Sequence, residues 1–301
     1  MPNPARDTTA GRIYNDLRNL ARRTGAPTDQ VMLEYLLERF LYRISVHPLG
    51  QQHFVLKGGL LLAQFGARRI TRDIDILGRA FTGDEEEIIR RIKQIAATDV
   101  DDGITFEPGT LTTVPIRQDD EYHGLRLAMS ANLSRARLKL QLDVSFGDPV
   151  TPAPALIEYP QYLSDTAFKL YGYPIATVIA EKLSTAIALG DLNTRDRDYA
   201  DLHQLIVRHR LDGKELTTAL VNTANHRGIH LQPLSEVISD LPRRRQAPYT
   251  AWRRRQGTSA KNHPEDFAEV VATVTAFADP LAASTAQNLT WSPEATAWQA
   301  P

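Results

Sequence analysis

The sequence predicts a mixed α/β (α+β) protein in which a sheet-containing core lies between two helical parts. Three observations support this prediction. Apolar residues recur at helical spacing in the first fifty residues, alternate with polar residues in several runs within 54–146, and return to helical spacing in the second half of the chain. We therefore expect a helical N-terminal segment at 1–50, a core with a mixed sheet at 51–160 and a helical C-terminal domain at 161–279.

The N-terminal segment and the core contain the clearest periodic runs. Helical spacing is found in two runs of the first fifty residues: Ile13, Leu17, Leu20 and Ala21, then Leu33, Leu36, Leu37, Phe40, Leu41 and Ile44. Period-two alternation is found in three runs of the core: 74–76, 125–129 and 138–146. Short helical runs at 60–65 and 85–97 separate the first strands. Strands alternating with helices predict a mixed α/β core with at least three strands.

The second half of the chain changes character. Helices are expected in four stretches: 177–190, 198–210, 214–226 and 265–278. Residues 280–301 contain a single charged side chain, Glu294, and no clear periodicity. We therefore predict a flexible tail at 280–301.

Composition excludes several classes of protein. The chain has no cysteine, so any metal would be held by oxygen or imidazole ligands. No apolar run approaches the roughly 20 residues that span a bilayer, and the N-terminus does not resemble a signal peptide. These features predict a soluble, cytoplasmic protein that does not contact membranes. The GxxxxGK[ST], GxGxxG and HExxH motifs are missing from the sequence, and the net charge of −1 does not by itself indicate a nucleic-acid-binding protein.

Two aspartates at i and i+2 form the first candidate site. In a strand, Asp73 and Asp75 would project from the same face while Ile74 and Ile76 face the core. Two adjacent carboxylates repel each other, and a magnesium ion between them would relieve that repulsion. A solvent-facing strand that carries two aspartates is the alternative.

A glycine pair and a third aspartate add to this pattern. Gly58 and Gly59 follow a short strand and precede a helical run, where free backbone N–H groups can bind phosphate; a tight turn is the alternative. Asp143 lies on the polar face of an alternating strand, a position that aspartate usually avoids. With Asp73 and Asp75 it would supply ligands for two magnesium ions, as in nucleotidyl transfer, although an exposed polar face would also explain it.

The ordered set of motifs resembles a known family. KGG, RITRDIDI, LDVSFGD, IAEKL and RDRDYADL follow one another between about Phe54 and Leu205. In this order they are similar to the AbiEii/AbiGii toxins, which include the MenT toxins, within the DNA polymerase β-like nucleotidyltransferase superfamily. The resemblance implies a polymerase β-like core, a nucleoside triphosphate substrate, Mg²⁺ and a cognate antitoxin protein.

The resemblance also assigns roles to individual residues. It implies phosphate or nucleotide binding by the KGG residues Lys57, Gly58 and Gly59 and by Lys182, with Asp198 and Asp201 completing the active site. From the residues alone, Lys182 is an ordinary helix-surface lysine, and Asp198 and Asp201 could form a structural ion-pair cluster with nearby arginines.

The loop before Asp73 contains further polar candidates. Thr71 is a candidate for contact with the nucleotide or for modification by an antitoxin, and it could equally be a turn residue. Arg68, Arg69 and Arg72 are candidates for neutralising phosphate charge, or simple loop arginines.

The acceptor is indicated by one basic segment. Residues 242–255 place six arginines around Tyr249 and Trp252, which suits a phosphate backbone with unstacked bases; a solvated helix face is the alternative. The family resemblance implies transfer to the 3′ end of tRNA, which blocks translation. Transfer to a protein hydroxyl or a small molecule, and a non-catalytic binding module, remain open alternatives.

Overall fold

A computed structural model describes residues 4–67, 69–80, 84–118 and 121–301. The chain divides into two compact units. The sheet unit comprises Met1–Gln64, Ile70–Gly147 and Leu156–Gly172, and the helical unit comprises Phe65–Arg69, Asp148–Ala155 and Tyr173–Pro301.

The sheet unit combines helices near its N-terminus with one large sheet. Its described helices are α1 (Thr9–Thr24), α2 (Thr28–Val46), α3 (Pro48–His53), α4 (Gly58–Leu61) and α5 (Glu85–Ala96). Its described strands are β1 (Phe54–Lys57), β2 (Ile74–Gly78), β3 (Ile104–Gln118), β4 (Glu121–Leu133), β5 (Ala136–Phe146), β6 (Ala155–Pro160) and β7 (Ala167–Gly172). The helices at the N-terminus therefore belong to the same unit as the core that was predicted to follow them.

The described strands of this unit form one mixed sheet in the order β3-β4-β5-β2-β1-β7-β6. β2 runs parallel to β5, and β1 runs parallel to β7. β1 and β2 pair antiparallel, as do β3 and β4, and β4 and β5. The order places β2 between β1 and β5, so residues of three segments distant in sequence meet at the middle of the sheet.

Alternation along β2 and β5 explains which side chains are buried. Ile74, Ile76, Leu142 and Val144 are each at most 1% exposed. The polar residues between them are half-buried and project from the opposite face. The period-two pattern in the sequence is confirmed here.

Helix α2 shows how the sheet unit buries charge as well as apolar surface. Its apolar residues Leu36, Leu37, Phe40 and Leu41 are fully buried. Arg43 is also buried, and its Nη1 donates to Asp102 Oδ2 at 2.6 Å. A buried charge needs such a partner, because removing it from water without one is costly.

The helical unit contains a helix at each of the four stretches predicted for the second half. Its described helices are α6 (Ile175–Leu189), α7 (Asp196–Ile206), α8 (Gly213–His226), α9 (Leu234–Val237), α10 (Leu241–Arg255) and α11 (Phe267–Ala282). It also contains three short described strands, β8 (Leu211–Asp212), β9 (Thr290–Ser292) and β10 (Ala297–Gln299). No helix within the described ranges is long and apolar enough to cross a membrane.

The structure corrects the prediction of a flexible tail at 280–301. β9 pairs with both β8 and β10. Trp291 is 1% exposed, and its indole N–H donates to the carbonyl of Ile206 at 2.8 Å. Trp298 stacks on Phe277 with ring centroids 5.2 Å apart. The prediction was wrong because three-residue strands held by aromatic burial leave no periodic signal.

The sheet also extends further along the chain than predicted. β7 follows Pro160, where strand signals were expected to end, and it pairs with β1 through Leu56 and Gly172. Its burial pattern alternates, yet its six residues are too few to distinguish from a loop by pattern alone.

Candidate active site

The sheet brings together the aspartates that were singled out in the sequence. β2 and β5 run parallel with Asp75 directly opposite Asp143, so their Cα atoms occupy neighbouring positions, about 4.8 Å apart. Asp73 immediately precedes β2 and, like Asp75, is half-buried, and the charges of both act on Arg126. The predicted alternation of aspartate and isoleucine thus places these carboxylates on the face opposite the core.

Gly58 lies against Asp75 at the end of β1. Its φ is +66°, a conformation that favours glycine. A Cβ atom added at Gly58 would lie 1.9 Å from Asp75 Oδ2 and 2.5 Å from its Cγ. The first glycine of the pair is therefore required both by its backbone conformation and by the Asp75 carboxylate.

Arg126 is an additional residue of the site that the sequence reasoning missed. It lies on β4 opposite Asp143, and its Nε and Nη2 donate to Asp143 Oδ1 and Oδ2 at 2.8 and 2.6 Å. These hydrogen bonds raise the pKa of Arg126, and the negative charges of Asp73 and Asp75 raise it further. One guanidinium thus experiences the charge of all three aspartates.

Three further residues predicted for the site, Thr71, Lys57 and Gly59, lie near these aspartates. Thr71 is buried, and its hydroxyl donates to Asp73 Oδ1 at 2.9 Å. Lys57 ends β1 opposite Asp75, and its Nζ lies 3.4 Å from Ser145 Oγ on β5. Gly59 is buried directly after Gly58. Their roles in binding nucleotide stay predictions.

The carboxylates of Asp73, Asp75 and Asp143 are the candidate ligands for a divalent metal ion. Within the described ranges, no three Asp, Glu or His side chains already form a metal-binding group. Carboxylate oxygens are the ligands that magnesium prefers. The guanidinium of Arg126 is a cation that these carboxylates already attract. The residues fit a metal chemically, provided that Arg126 releases Asp143.

A second cluster of predicted residues lies in the helical unit. Lys182 Nζ on α6 donates to Asp198 Oδ1 at 2.7 Å and to Asp201 Oδ2 at 2.8 Å, both on α7. Arg69 Nε donates to Asp201 Oδ1 at 3.0 Å, and Arg195 Nε lies 2.6 Å from Asp198 Oδ2. The sequence interpretation of Lys182 as a surface residue is wrong, because its side chain is only 13% exposed. Arg68 lies outside the described residues.

The electrostatics of this cluster favour the charged forms of Lys182 and Asp198. Burial by itself lowers the pKa of Lys182, but the charges of Asp198 and Asp201 outweigh burial and raise it. Burial raises the pKa of Asp198, and Lys182 and Arg195 reverse that effect and hold its pKa at about 2. The charges of the cluster therefore compensate one another, and Lys182, Asp198 and Asp201 are buried while Arg195 is half-exposed.

The arginine-rich segment forms α10, and its aromatic residues differ from expectation. Tyr249 is fully buried, stacks on Phe267 with centroids 4.7 Å apart, and donates its hydroxyl to the carbonyl of Pro264 at 2.8 Å. Trp252 stacks on Tyr249 and contacts His263 edge-on. The idea that Tyr249 stacks on RNA bases is wrong, because its ring is already covered by the protein.

Comparison with solved structures gives the class of the fold. JHP933 from Helicobacter pylori is similar with a TM-score of 0.50 at 17% identity, covering 84% of this chain and 94% of that one. MenT4, a nucleotidyltransferase toxin from Mycobacterium tuberculosis, is similar with a TM-score of 0.52 at 16% identity, covering 85% of this chain and 93% of that one. The fold is therefore that of nucleotidyltransferase toxins.

The sequence family agrees with the fold. The family model described as "Nucleotidyl transferase AbiEii toxin, Type IV TA system" matches residues 39–273. The chain belongs to this family, and it is a nucleotidyltransferase enzyme. The family implies a nucleoside triphosphate substrate and a cognate antitoxin. No curated protein sequence matches the chain.

Proposed function

We propose that the protein is a toxin that transfers a nucleotide from a nucleoside triphosphate to an RNA acceptor, at the 3′ end of tRNA, and so blocks translation. The observation that carries the proposal is the register of β2 and β5, which places Asp75 beside Asp143. Gly58 lies against the carboxylate of Asp75. Family membership supports the reaction class. The acceptor is inferred from the resemblance of the motifs and from the arginines of α10.

The chemistry joins an acceptor hydroxyl to the α-phosphorus of the triphosphate. A bond forms between the 3′-hydroxyl oxygen and this phosphorus, the bridging bond to the β-phosphate breaks, and pyrophosphate leaves. Mg²⁺ bound by Asp73, Asp75 and Asp143 would lower the pKa of the hydroxyl and stabilise charge on the leaving group. One carboxylate of this group takes the hydroxyl proton.

The chain's own residues prepare the site for that step. Thr71 orients Asp73 through its hydrogen bond, and Arg126 holds Asp143 through two hydrogen bonds. Because Gly58 has no side chain, the Asp75 carboxylate can lie directly against it. Phosphate binding by the backbone N–H groups of Gly58 and Gly59 is part of this proposal. In the helical unit, Lys182 is held by hydrogen bonds to Asp198 and Asp201.

The test is a labelling experiment with purified protein. Magnesium, cellular RNA and each α-labelled nucleoside triphosphate are supplied in separate reactions. The active-site variant combines Asp73→Ala with Asp75→Ala. The matched control combines Asp99→Ala with Asp101→Ala, which removes two exposed aspartates at the same i, i+2 spacing.

We expect label on small RNA with the wild-type protein and the matched control, and none with the active-site variant. Labelled protein in place of RNA would select the protein-acceptor alternative. Equal labelling by the active-site variant, with its fold verified by circular dichroism, would remove these aspartates from the reaction.

A further inference from the structure

The outward side of α10 has an unusual distribution of charge. Its exposed residues, here called the arginine face, are Arg243, Arg244, Ala247, Ala251, Arg254 and Arg255. Arg243 and Arg254 are eleven residues apart, as are Arg244 and Arg255. Eleven residues are close to three helical turns, so the two arginine pairs point in the same direction about 16 Å apart. Ala247 and Ala251 are exposed and have short side chains, so no bulky side chain of this face lies between the two arginine pairs.

The remaining two arginines of α10 have structural roles. Arg245 donates from Nε and Nη2 to both oxygens of Asp196 at 2.7 Å. Arg253 Nε donates to the carbonyl of His263 at 2.9 Å. These contacts tie α10 to the rest of the helical unit, and they separate two structural arginines from the four on the arginine face.

The arginine face has little internal neutralisation. Residues 241–262 contain six arginines and one lysine but no aspartate or glutamate, although the whole chain has a net charge of −1. Arg243 contacts Asp240 at 2.7 Å in an exposed pair, which is weak and easily exchanged. Within the described ranges, no carboxylate forms an ion pair with Arg244, Arg254 or Arg255. A solvated helix usually pairs such arginines with acidic residues three or four positions away.

Stabilisation of the helix does not explain the N-terminal arginine pair. The positive end of a helix dipole lies at the N-terminus, where Arg243 and Arg244 are unfavourable. The first N–H groups of this region are instead bound by Asp191, which accepts from the backbone N–H groups of Ser239 and Leu241 at 3.1 and 2.9 Å. Asp191 therefore caps the start of α10, and Arg243 and Arg244 are not needed to stabilise the helix there.

We propose that the arginine face is a docking surface for the phosphate backbone of RNA, with each arginine pair binding phosphates independently. Guanidinium groups bind phosphate oxygens bidentately, and the two pairs are further apart than the roughly 8 Å Debye length of physiological salt. The open alanine surface lets a backbone approach the helix between the pairs. This inference rests on the proposed RNA acceptor and adds the surface that holds it.

The test measures the salt dependence of RNA binding without nucleotide. A fluorescent RNA hairpin with an unpaired 3′ end is titrated with protein at several salt concentrations. The variants are R243Q/R244Q, R254Q/R255Q and the quadruple combination, and R254K/R255K is the charge-conserving variant. R22Q/R23Q is the matched control, because it removes an exposed adjacent arginine pair from the last turn of α1.

Binding to phosphate releases counterions, so each lost contact reduces the slope of log K against log salt by about 0.7 to 0.9. We expect the quadruple variant to reduce the slope by about 3 to 4 and each double variant by about half of that. The lysine variant and the R22Q/R23Q control keep the wild-type slope. Unchanged slopes in the folded quadruple variant, or no binding of RNA by the wild-type protein, would overturn the proposal.

Nucleotide transfer to the same RNA is measured in parallel, so that the two proposals fail separately. Transfer with unchanged salt slopes would retain the RNA acceptor and reject the arginine face. Reduced salt slopes without any transfer by the wild-type protein would retain the surface and reject the proposed reaction. If both hold, the quadruple variant raises the KM for RNA and leaves kcat close to that of the wild-type protein.

Discussion

Substitution of Gly58 by alanine tests the geometry of the candidate active site most directly. The new Cβ would lie 1.9 Å from Asp75 Oδ2, whereas ordinary contact begins at 3.4 Å. The carboxylate would therefore have to move by about 1.5 Å. The backbone at φ +66° would also disfavour alanine by about 1 to 2 kcal/mol.

Gly25→Ala separates these two effects. Gly25 has φ +69°, and an added Cβ would meet nothing within 4 Å. Gly25→Ala should lose about 1 to 2 kcal/mol of the free energy of unfolding from the backbone alone, measured with urea, and Gly58→Ala should lose more because its Cβ also clashes with Asp75. Only Gly58→Ala should lose activity, on the order of 100-fold, because a misplacement of about 1 Å at a reacting group can have that effect.

The assay is pyrophosphate release in the presence of cellular RNA, magnesium and nucleoside triphosphate. Release reports the transfer without requiring the labelled product to be isolated. If Gly58→Ala, shown to be folded under the assay conditions, kept activity within about threefold of Gly25→Ala, the close approach of Gly58 and Asp75 would have no part in catalysis, and this reasoning would fail.

The remaining predictions concern the helical unit. Lys182→Met should lower the free energy of unfolding by about 3 kcal/mol, because Asp198 and Asp201 each lose a charge-assisted hydrogen bond but keep Arg195 and Arg69 as cationic partners; a loss below about 1 kcal/mol in urea unfolding would contradict this. Burial lowers the pKa of His203 to about 4, so the unfolded state binds its proton first and stability is lost as pH falls from 6.5 to 4. His203→Leu should reduce the change of the free energy of unfolding with pH between 6.5 and 4. It should keep the loss of stability below pH 4, where Asp198, with a pKa of about 2, becomes protonated. The same pH dependence between 6.5 and 4 in the two proteins would contradict this. Trp291→Ala should cost about 3 to 5 kcal/mol and the exposed Gln299→Ala less than about 0.5 kcal/mol, in the same urea measurement; equal small losses would restore the flexible tail.

Local patterns in the sequence were sufficient where a residue's role depends on its immediate neighbours. Alternation predicted that Asp75 lies opposite the buried isoleucines, and the structure confirms that arrangement, with Asp73 directly before the strand. Helical spacing predicted α5, α6 and α8 to within a few residues. These predictions succeeded because the period of a helix or strand is set by the backbone itself.

Contacts between distant segments required the tertiary structure. Arg126 has no motif of its own, and its contact with Asp143 follows only from the antiparallel register of β4 and β5. Without the family resemblance Lys182 would be taken for a surface lysine, because most helix lysines are exposed, yet its side chain is 13% exposed and contacts two carboxylates of α7. Tyr249 was interpreted as a base-stacking residue, although Phe267 covers its ring.

The sequence by itself determined the mixed α/β class, the order of the motifs and the alternating placement of the first two aspartates, because each depends on local periodicity or on the residues present. The tertiary structure decided that Asp143 lies directly beside Asp75, that Arg126 binds Asp143, and that the C-terminal residues form strands. Strand order, register and aromatic burial depend on the free energy of the whole fold, and a local pattern contains only part of that information.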